Sequence, residues 1–180
     1  MTTPHPEAGR FADMLLRGAA APVTARMVWP AGSPTRPRLL VLFLGDTSPA
    51  ASSLPNTLCT RLGALVLACS ADTSFRDATR ALEWAADHGL ELGAESGQLA
   101  IAGEGDGCLV AAAAVVHARD QGWPPVVRQI LIRPPASFRP EGSMAGVAPV
   151  VVVGAADQGL ADRFRNDGVE VEELQREDDL

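Results

Sequence analysis

The segment LAIAGEGDGCLVAAAAVV, Leu99–Val116, decides the fold that we predict for this chain. Small and apolar residues lead into a glycine cluster at Gly103, Gly105 and Gly107, and an almost wholly apolar run follows from Cys108 to Val116. This pattern is typical of a buried strand, a sharp turn and a buried helix. Glycine suits the turn because it adopts positive φ angles and lets two backbones approach closely.

Two known motifs combine a strand, a glycine turn and a helix. The dinucleotide motif G-x-G-x-x-G would need glycine where Cys108 stands, and Glu104 and Asp106 would repel a pyrophosphate at the helix N-terminus. The nucleophile elbow G-x-S-x-G fits Gly103–Gly107, with Gly105 in the nucleophile position. Glycine has no side chain that could attack an ester. The sequence therefore predicts an elbow without its nucleophile.

The composition restricts the class of protein. A chain of 180 residues with 47% hydrophobic residues can bury a sizeable core. The formal charge of −7 argues against a nucleic-acid-binding surface. The first residues, MTTPHPEAGR, lack a signal-peptide pattern, and no apolar run is long enough to span a membrane. Because Cys59, Cys69 and Cys108 show no disulfide or metal-ligand spacing, we expect reduced thiols and a cytoplasmic location.

Strand-like and helix-like patterns alternate along the chain, which favours an α/β fold with a mostly parallel sheet and helices on both faces. We expect an N-terminal segment, 1–20, with a short helix over Glu7–Gly18, and a single domain over 21–180. The last residues, Gln175–Leu180, are predicted to be a solvated acidic tail. The predicted strands are Val23–Trp29, Leu39–Leu44, Ala64–Cys69, Gln98–Gly103, Val126–Ile132, Pro149–Gly154 and Val169–Leu174. The other predicted helices are Ser48–Leu62, Ser74–Gly89 with a Ser74–Asp77 capping pair, a helix that begins at Asp106 or Gly107 and ends at Gln121, and Gly159–Asn166.

The chain resembles the hormone-sensitive-lipase-like esterases, a branch of the α/β-hydrolases, from about Val23 to Glu173. The segment LAIAGEGDGCLVAAAAVVHARDQGWPPVVRQILIRP, 99–134, is similar to the family's elbow, its helix and the following strand. ATRALEWAADHGLELGAESGQ, 78–98, is similar to the helix and loop before the elbow, and GVAPVVVVGAADQ, 146–158, to the strand that carries the triad acid. The resemblance implies a three-layer α/β-hydrolase-like fold.

The resemblance also assigns positions to the catalytic machinery. The nucleophilic serine falls on Gly105, and the triad acid falls on Asp157. The oxyanion motif His-Gly-Gly-Gly falls on Leu44–Thr47, where the histidine is missing and Asp46 intrudes. The triad histidine would follow the last strand, and Gln175–Leu180 contains none. The chemistry of a serine hydrolase is thus altered at several positions.

The family's lid helices would lie between the strands at 127–132 and 148–154. Only about fifteen residues connect these strands here, so we expect a largely absent lid and a truncated C-terminus. A missing lid leaves apolar surface exposed, and such surface commonly finds a partner. We therefore expect a homodimer, with the C-terminal strand as one possible pairing edge, or a protein partner.

Few other side chains could replace the serine or its base. Cys108 could offer a thiol, but a buried structural role is favoured. Asp106 resembles the Asp nucleophile of dehalogenase-like relatives, but it lies one residue after the nucleophile position of the elbow. A role as the N-cap of the following helix is favoured. His5, His88 and His117 are expected in surface or capping positions rather than as bases.

Four acidic residues could follow the carboxyl ends of the strands, where open α/β sheets bind ligands: Asp46, Glu104, Asp106 and Asp157. Carboxylates can hold a hard cation, but these four lack any compact metal-loop spacing. We expect a solvated acidic rim, no metal and no cofactor. Asp157 is also expected to start a turn before the helix at 159–166.

Two functions follow from this reading. The favoured one is a catalytically degenerate hydrolase with a binding, regulatory or scaffold role, for which a biosynthetic pathway is one setting. In this function the protein binds a small carbonyl or carboxylate compound through Gly45, Asp46, Gly105, Asp106 and Asp157. The alternative is a lyase, isomerase, dehydratase or cyclase that uses carboxylates in the old cleft as general acid or base. Its candidate residues would be Asp106, Glu104 and Asp157.

Overall fold

The fold is described from a computed structural model, which covers residues 8–32, 36–70, 72–155, 157 and 159–180. A short 3-10 helix at Glu177–Asp179 follows the last strand. The other elements are β1 (Ala8–Leu16), β2 (Val23–Pro30), β3 (Leu39–Phe43), α1 (Leu54–Leu62), β4 (Leu65–Cys69), α2 (Phe75–Leu92), β5 (Leu99–Glu104), α3 (Gly107–Gln121), β6 (Val126–Ile132), β7 (Val150–Val153), α4 (Leu160–Asn166) and β8 (Val171–Leu174).

The strands form one sheet in the order β1-β2-β4-β3-β5-β6-β7-β8. The β1/β2 and β2/β4 pairs are antiparallel, and every pair from β4 to β8 is parallel. The predicted α/β architecture with a mostly parallel sheet is therefore confirmed. The carboxyl ends of β3, β5, β6 and β7 lie along one edge, and the candidate site residues follow these ends.

The central strands are apolar along their whole length because both of their faces are covered. In β3, Leu39, Val41 and Phe43 belong to the core that α2 and α3 cover, whereas Leu40 and Leu42 belong to the core on the α1 side. Successive side chains of a strand point to opposite faces, so a strand between two helical layers needs an unbroken apolar run. This explains why the buried strands were predicted with small errors at their ends.

The helix predicted over Glu7–Gly18 is wrong, because Ala8–Leu16 is the edge strand β1; Glu7 lies outside the described residues. Pairing with β2 gives Asp13 a two-pronged ion pair with Arg26, at 2.6 and 2.8 Å. The same guanidinium lies 4.3 Å from the centre of the Phe11 ring. Cross-strand partners that are distant in sequence thus override the helical spacing of the apolar residues.

Two helix boundaries also differ from the prediction. Helix α1 begins at Leu54 rather than Ser48, since the residues before it form a turn in which Ala51 and Ser52 donate to the Ser48 carbonyl. Helix α2 continues past Gly89 to Leu92, and Gly93, with φ +96°, ends it. A glycine stops a helix efficiently where it takes a positive φ, which Gly93 does.

The C-terminal segment Gln175–Leu180 is exposed, as expected, at Gln175, Arg176, Asp178 and Asp179, but it is also anchored to the rest of the fold. Asp178 accepts hydrogen bonds from Arg61 at 2.6 Å through its carboxylate and at 2.9 Å through its carbonyl. Leu180 packs against the core on the α1 side of the sheet. The acidic composition of this segment did not predict the packing of Leu180 or the ion pair between Arg61 and Asp178.

The buried carboxylate of Asp77, near the start of α2, accepts hydrogen bonds from the β1–β2 turn. The predicted capping pair is present: Asp77 N donates to Ser74 Oγ at 3.2 Å, and that hydroxyl donates to Asp77 Oδ2 at 2.6 Å. Asp77 Oδ1 accepts from the backbone of Ala20 at 2.8 Å and of Ala21 at 3.3 Å. The Ser74 hydrogen bond first, and the Ala20 amide next, lower the pKa of Asp77 to about 2.

We predict that Asp77 stabilises the fold above pH ~4 and that this contribution disappears as the pH falls toward about 2, because the folded state favours the ionised carboxylate. Urea unfolding of wild type and Asp77→Asn across this range should show a stability difference that shrinks with acidification. The matched control is Asp87→Asn, at an exposed position of the same helix. A difference for Asp77→Asn that is independent of pH would contradict the prediction.

Candidate functional site

The predicted elbow forms between β5 and α3. Strand β5 ends at Glu104, Gly105 takes φ +55° at the tip, and α3 begins at Gly107. Gly105 N donates to the Ile132 carbonyl at 2.9 Å, and Cys108 N donates to the Gly105 carbonyl at 3.1 Å. The strand, turn and helix therefore have the arrangement that the glycine pattern predicts.

The three glycines of the elbow are required for different reasons. A Cβ on Gly103 would lie 2.5 Å from Cys108 Cα, and a Cβ on Gly107 would lie 2.1 Å from the Phe43 carbonyl oxygen. A Cβ on Gly105 would meet nothing nearer than Gly45 Cα at 3.9 Å, an ordinary contact. Backbone packing thus excludes side chains beside the tip, whereas the tip itself has room for one and only its φ angle favours glycine.

The loop after β3 packs directly on the elbow. A Cβ on Gly45 would lie 2.6 Å from the Glu104 carbonyl oxygen and 2.9 Å from Asp106 N, so the two backbones are in close contact. Gly45, Gly105 and Asp106 are therefore brought together as predicted. Within the described part of the chain, Asp106 N donates to no protein acceptor. In an elbow, the N–H after the nucleophile position is an oxyanion-hole donor.

The side chains of Asp106 and Asp46 both face solvent. Asp106 occupies the N-cap position of α3, but its carboxylate makes no capping hydrogen bond, so the predicted capping role is wrong in that respect. The side chain of Asp46 is also exposed. Water screens such charges, so these residues repel an approaching anion less than buried carboxylates would.

Glu104 does not belong to a solvated rim, which corrects our expectation. Its side chain is 14% exposed, and its Oε1 accepts from Arg133 Nη2 at 2.5 Å. Its second oxygen, Oε2, is buried without a hydrogen-bond partner among the described residues. Arg133 follows β6 with φ +48°, a conformation that non-glycine residues rarely adopt and that is concentrated at functional sites. Arg133 was not singled out from the sequence.

Asp157, the position of the triad acid, is held by arginines. Its Oδ1 accepts from Gly159 N at 2.9 Å, which confirms the predicted turn before α4. Its Oδ2 accepts from Arg163 at 2.8 Å and lies 3.6 Å from Arg139 Nη1. The Arg163 hydrogen bond first, and the Gly159 amide next, lower the pKa of Asp157. This carboxylate is therefore ionised and already engaged, in contrast to an acid that orients a histidine.

Among the described residues, the cysteines and histidines supply no alternative nucleophile or base at the tip. Cys108 is fully buried with Sγ 3.2 Å from the Gly103 carbonyl, and burial raises the pKa of its thiol to about 12. His88 stacks on Trp84 with ring centres 4.7 Å apart. His117 contacts the edge of Phe75 on the outside of α3. His5 lies outside the described residues.

The described residues contain no group of three or more His, Cys, Asp or Glu residues arranged to hold a metal ion. Asp46, Glu104, Asp106 and Asp157 do not converge on a point, since Glu104 and Asp157 are each bound by arginine. The cavities among the described residues include five with volumes of about 170 to 490 Å³. None of these five is lined by Gly45, Asp46, Gly105 or Asp106, while Asp157 lines one of about 320 Å³.

Residues 43–151 match the family model described as the alpha/beta hydrolase fold, and the chain belongs to this family. Esterase LipI of Mycobacterium tuberculosis (strain ATCC 25618 / H37Rv) is 32% identical over 145 residues, which cover 72% of this chain and 45% of LipI. The chain therefore spans less than half the length of this curated relative. In the described residues, no helix has the length and apolar character needed to cross a membrane.

Solved esterase structures share this fold. An esterase of Pyrobaculum calidifontis superposes with a TM-score of 0.81 at 20% identity, covering 96% of this chain and 77% of that one. A thermostable esterase from Pseudomonas putida ECU1011 superposes with a TM-score of 0.77 at 20% identity, covering 92% and 72%. The resemblance to α/β-hydrolases of the esterase type that we found in the sequence is confirmed at the level of the fold.

The different reasons for the elbow glycines give a testable contrast. Gly107→Ala should cost at least about 3 kcal/mol, because its Cβ would overlap the backbone of β3. Gly105→Ala should cost only about 1–2 kcal/mol, the penalty of a positive φ for an L-residue with free space around it. Urea unfolding of both variants provides the measurement. Equal losses of stability would show that the backbone contact at Gly107 does not constrain the elbow.

Proposed function

We propose that this chain is a catalytically degenerate α/β-hydrolase that binds a small carbonyl or carboxylate compound at its elbow, in a binding, regulatory or scaffold role. The observation that carries the proposal is Gly105 at the tip of an otherwise intact elbow. A serine hydrolase needs a nucleophile and a base that removes its proton. Gly105 provides no hydroxyl, and the adjacent thiol of Cys108 is buried and protonated at neutral pH.

The geometry of the tip supports binding of an oxygen atom. Asp106 N–H is a donor without a protein acceptor in the described residues. Apart from its two chain neighbours, the described residue nearest to a Cβ built on Gly105 would be Gly45, with its Cα at 3.9 Å. Backbone N–H groups bind carbonyl and carboxylate oxygens well when they are fixed in advance. The close contact with Gly45 fixes this one.

The electrostatics of the site are compatible with a carboxylate ligand. The charge of Glu104 directly behind the tip is balanced by Arg133, and the charge of Asp157 is balanced by Arg163. The remaining carboxylates, Asp46 and Asp106, are exposed, and solvent screens them. An arriving anion therefore meets no buried, uncompensated negative charge.

The second candidate, an enzyme with repurposed acid–base chemistry, is favoured by one observation. Glu104 Oε2 is buried and lacks a hydrogen-bond partner among the described residues, and a carboxylate in a dry site is a common general acid or base. Asp157 fits that role less well, because its arginine partners stabilise the ionised form. Asp106 is exposed and makes no capping bond that would orient it.

We extend the proposal to location and assembly. Three buried, reduced cysteines support a cytoplasmic protein. The exposed apolar side chains Phe11 and Leu15 on the edge strand β1 support association with a second copy or with a protein partner. The charge of −7 supports partners other than nucleic acid.

The proposal predicts that the 180-residue chain does not hydrolyse p-nitrophenyl acetate above the rate of a Gly105→Ala control. Gly105→Ser should also remain at background, because neither His88 nor His117 contacts the elbow to activate a hydroxyl. Initial rates at neutral pH, with a characterised esterase as positive control, provide the measurement. Wild-type turnover clearly above both variants would overturn the assignment as a degenerate hydrolase.

Ligand binding is tested separately by titrating the ¹⁵N-labelled chain with butanoate and with butanone. The amide resonances of Gly45, Gly105 and Asp106 should shift in a saturable way. Gly105→Asn should weaken these shifts, because asparagine tolerates a left-handed φ while its side chain occupies the space above the tip. Asp46→Asn is the matched control, since its exposed side chain is changed without filling that space. Unchanged elbow resonances with both probes would contradict binding at this site.

A further inference from the structure

The strand β1 lies at one end of the sheet, so its outer edge has no neighbouring strand among the described residues. An open edge carries backbone N–H and C=O groups that can pair with a further strand. Folded proteins commonly protect such an edge by keeping the strand short or by placing proline in it. Strand β1 has nine residues and contains no proline, so neither device protects it.

One face of β1 carries two large apolar side chains. Leu16 belongs to the core on the α2 and α3 side of the sheet, and Met14 packs against that core. Because successive side chains alternate, Phe11, Asp13 and Leu15 lie on the opposite face. Phe11 and Leu15 are 62% and 68% exposed, the highest values of any large hydrophobic residue in the described part of the chain. An open edge beside exposed apolar side chains is typical of an interaction surface.

The other end of the sheet is less suited to pairing. The sequence suggests the C-terminal strand as one pairing edge, and the structure places β8 there. This strand has only four residues, and two of them, Glu172 and Glu173, are exposed glutamates. Short length and charged side chains both oppose the addition of a strand. The edge of β1 is therefore favoured over that of β8.

We propose that two copies of this chain pair antiparallel through β1, about a two-fold axis that passes beside Asp13. A two-fold axis perpendicular to the sheet places residues at equal distances from it opposite each other, with the same face of both copies on one side. Phe11 of each copy then lies opposite Leu15 of the other, which forms two aromatic–aliphatic cross-strand pairs. Moving the axis by one residue in either direction would place Phe11 opposite a charged residue, Asp13 or Arg17. The exposed apolar residues thus match a second copy of themselves in one register.

The charges at the centre of this register are compensated. The Asp13 carboxylates of the two copies lie opposite each other, an arrangement that is repulsive for bare charges. Each Asp13 accepts two hydrogen bonds from Arg26 of its own chain, at 2.6 and 2.8 Å. The same guanidinium lies 4.3 Å from the centre of the Phe11 ring. The middle of the interface is therefore neutral, with an apolar pair on either side of it.

The pairing specifies the association that is part of the proposed function, and it rests on that proposal. Three strands, β2, β4 and β3, separate β1 from β5 in the sheet. The elbow after β5 therefore lies away from the interface. Binding at the elbow and pairing through β1 are independent properties that separate measurements can distinguish.

Light scattering of the 180-residue chain tests the dimer. The wild-type chain should have the mass of two copies at sub-millimolar concentration and should dissociate on dilution. Phe11→Lys and Leu15→Glu should each raise the dimer dissociation constant about tenfold or more, because the two-fold axis places each change in two cross-strand pairs. Phe75→Lys and Leu90→Glu introduce the same charges at exposed positions of α2 and should leave it unchanged. Thermal unfolding confirms that each variant is folded.

The double variant Phe11→Lys/Leu15→Glu tests the register. In the proposed dimer its new ammonium and carboxylate groups lie opposite each other across the axis. The double variant should therefore dimerise at least about threefold more tightly than either single variant, and salt should reduce this gain. Within one strand the two positions are about 13 Å apart, so an attraction inside one copy cannot produce the gain.

Nuclear Overhauser contacts test the interface without a substitution. In a mixture of ¹³C-labelled and unlabelled copies, the Phe11 ring of one copy should contact the Leu15 methyl groups of the other. A wild-type monomer, a mass above two copies, a dimer that persists in both single variants, a double variant no tighter than the single ones, or the absence of these contacts would each overturn the pairing. A monomer that still shows elbow shifts with butanoate would retain the proposed binding function, and a dimer without those shifts would retain only the pairing.

Discussion

The close approach of two backbones, at the end of β3 and at the elbow, constrains the rest of this site. The Phe43 carbonyl leaves no room for a side chain on Gly107, and the Glu104 carbonyl leaves none on Gly45. These contacts fix β3, β5 and the start of α3 relative to one another. They also hold Asp106 N close to Gly45, and among the described residues this N–H donates to no protein acceptor. A side chain on the central position, Gly105, would overlap none of this packing, and only the φ of +55° favours glycine there.

Arginine side chains form ion pairs with Glu104 and Asp157 at the carboxyl edge of the sheet. The chain has no lysine, and Arg133, Arg139 and Arg163 hold Glu104 and Asp157. A guanidinium can bind a carboxylate through several donors and keeps its charge at all accessible pH values. The composition alone suggests a strongly negative charge at this edge. Behind the tip the negative and positive charges nearly balance, while the exposed carboxylates of the edge are solvated.

Much of the fold could be predicted because buried parallel strands and glycine-terminated helices leave local patterns. The strand Val126–Ile132 has the predicted bounds. Helix α3 ends at Gln121 as predicted and begins at Gly107, one of the two predicted starts. The strand β1 could not be predicted in the same way, because its apolar residues fit helical spacing and the evidence for pairing lies in Arg26, thirteen residues beyond its partner Asp13. Local sequence does not contain that contact.

The candidate site was predictable only in its backbone. The glycine turn and its contact with Gly45 follow from residue types that tolerate close approach. The partners of the acidic side chains cannot be predicted from residue types, because Glu104 and Arg133 are 29 residues apart and meet only after β5 and β6 pair. Arg133 stands between a predicted strand and two prolines, so the sequence weakly indicates a cation at the carboxyl end of the strand next to β5. Nothing in the sequence indicates that Arg133 adopts a left-handed φ.

The steric demands on Gly103 and Gly107 also bear on how such sites change over evolutionary time. Selection for a folded protein retains both glycines, whatever residue stands between them, because their loss would displace neighbouring backbone. Within the turn, selection for turnover acts on the middle position. A lineage that abandons catalysis can therefore lose its reactive atom by a single replacement and still carry the flanking signature, so that a glycine-framed turn records ancestry and architecture rather than present chemistry.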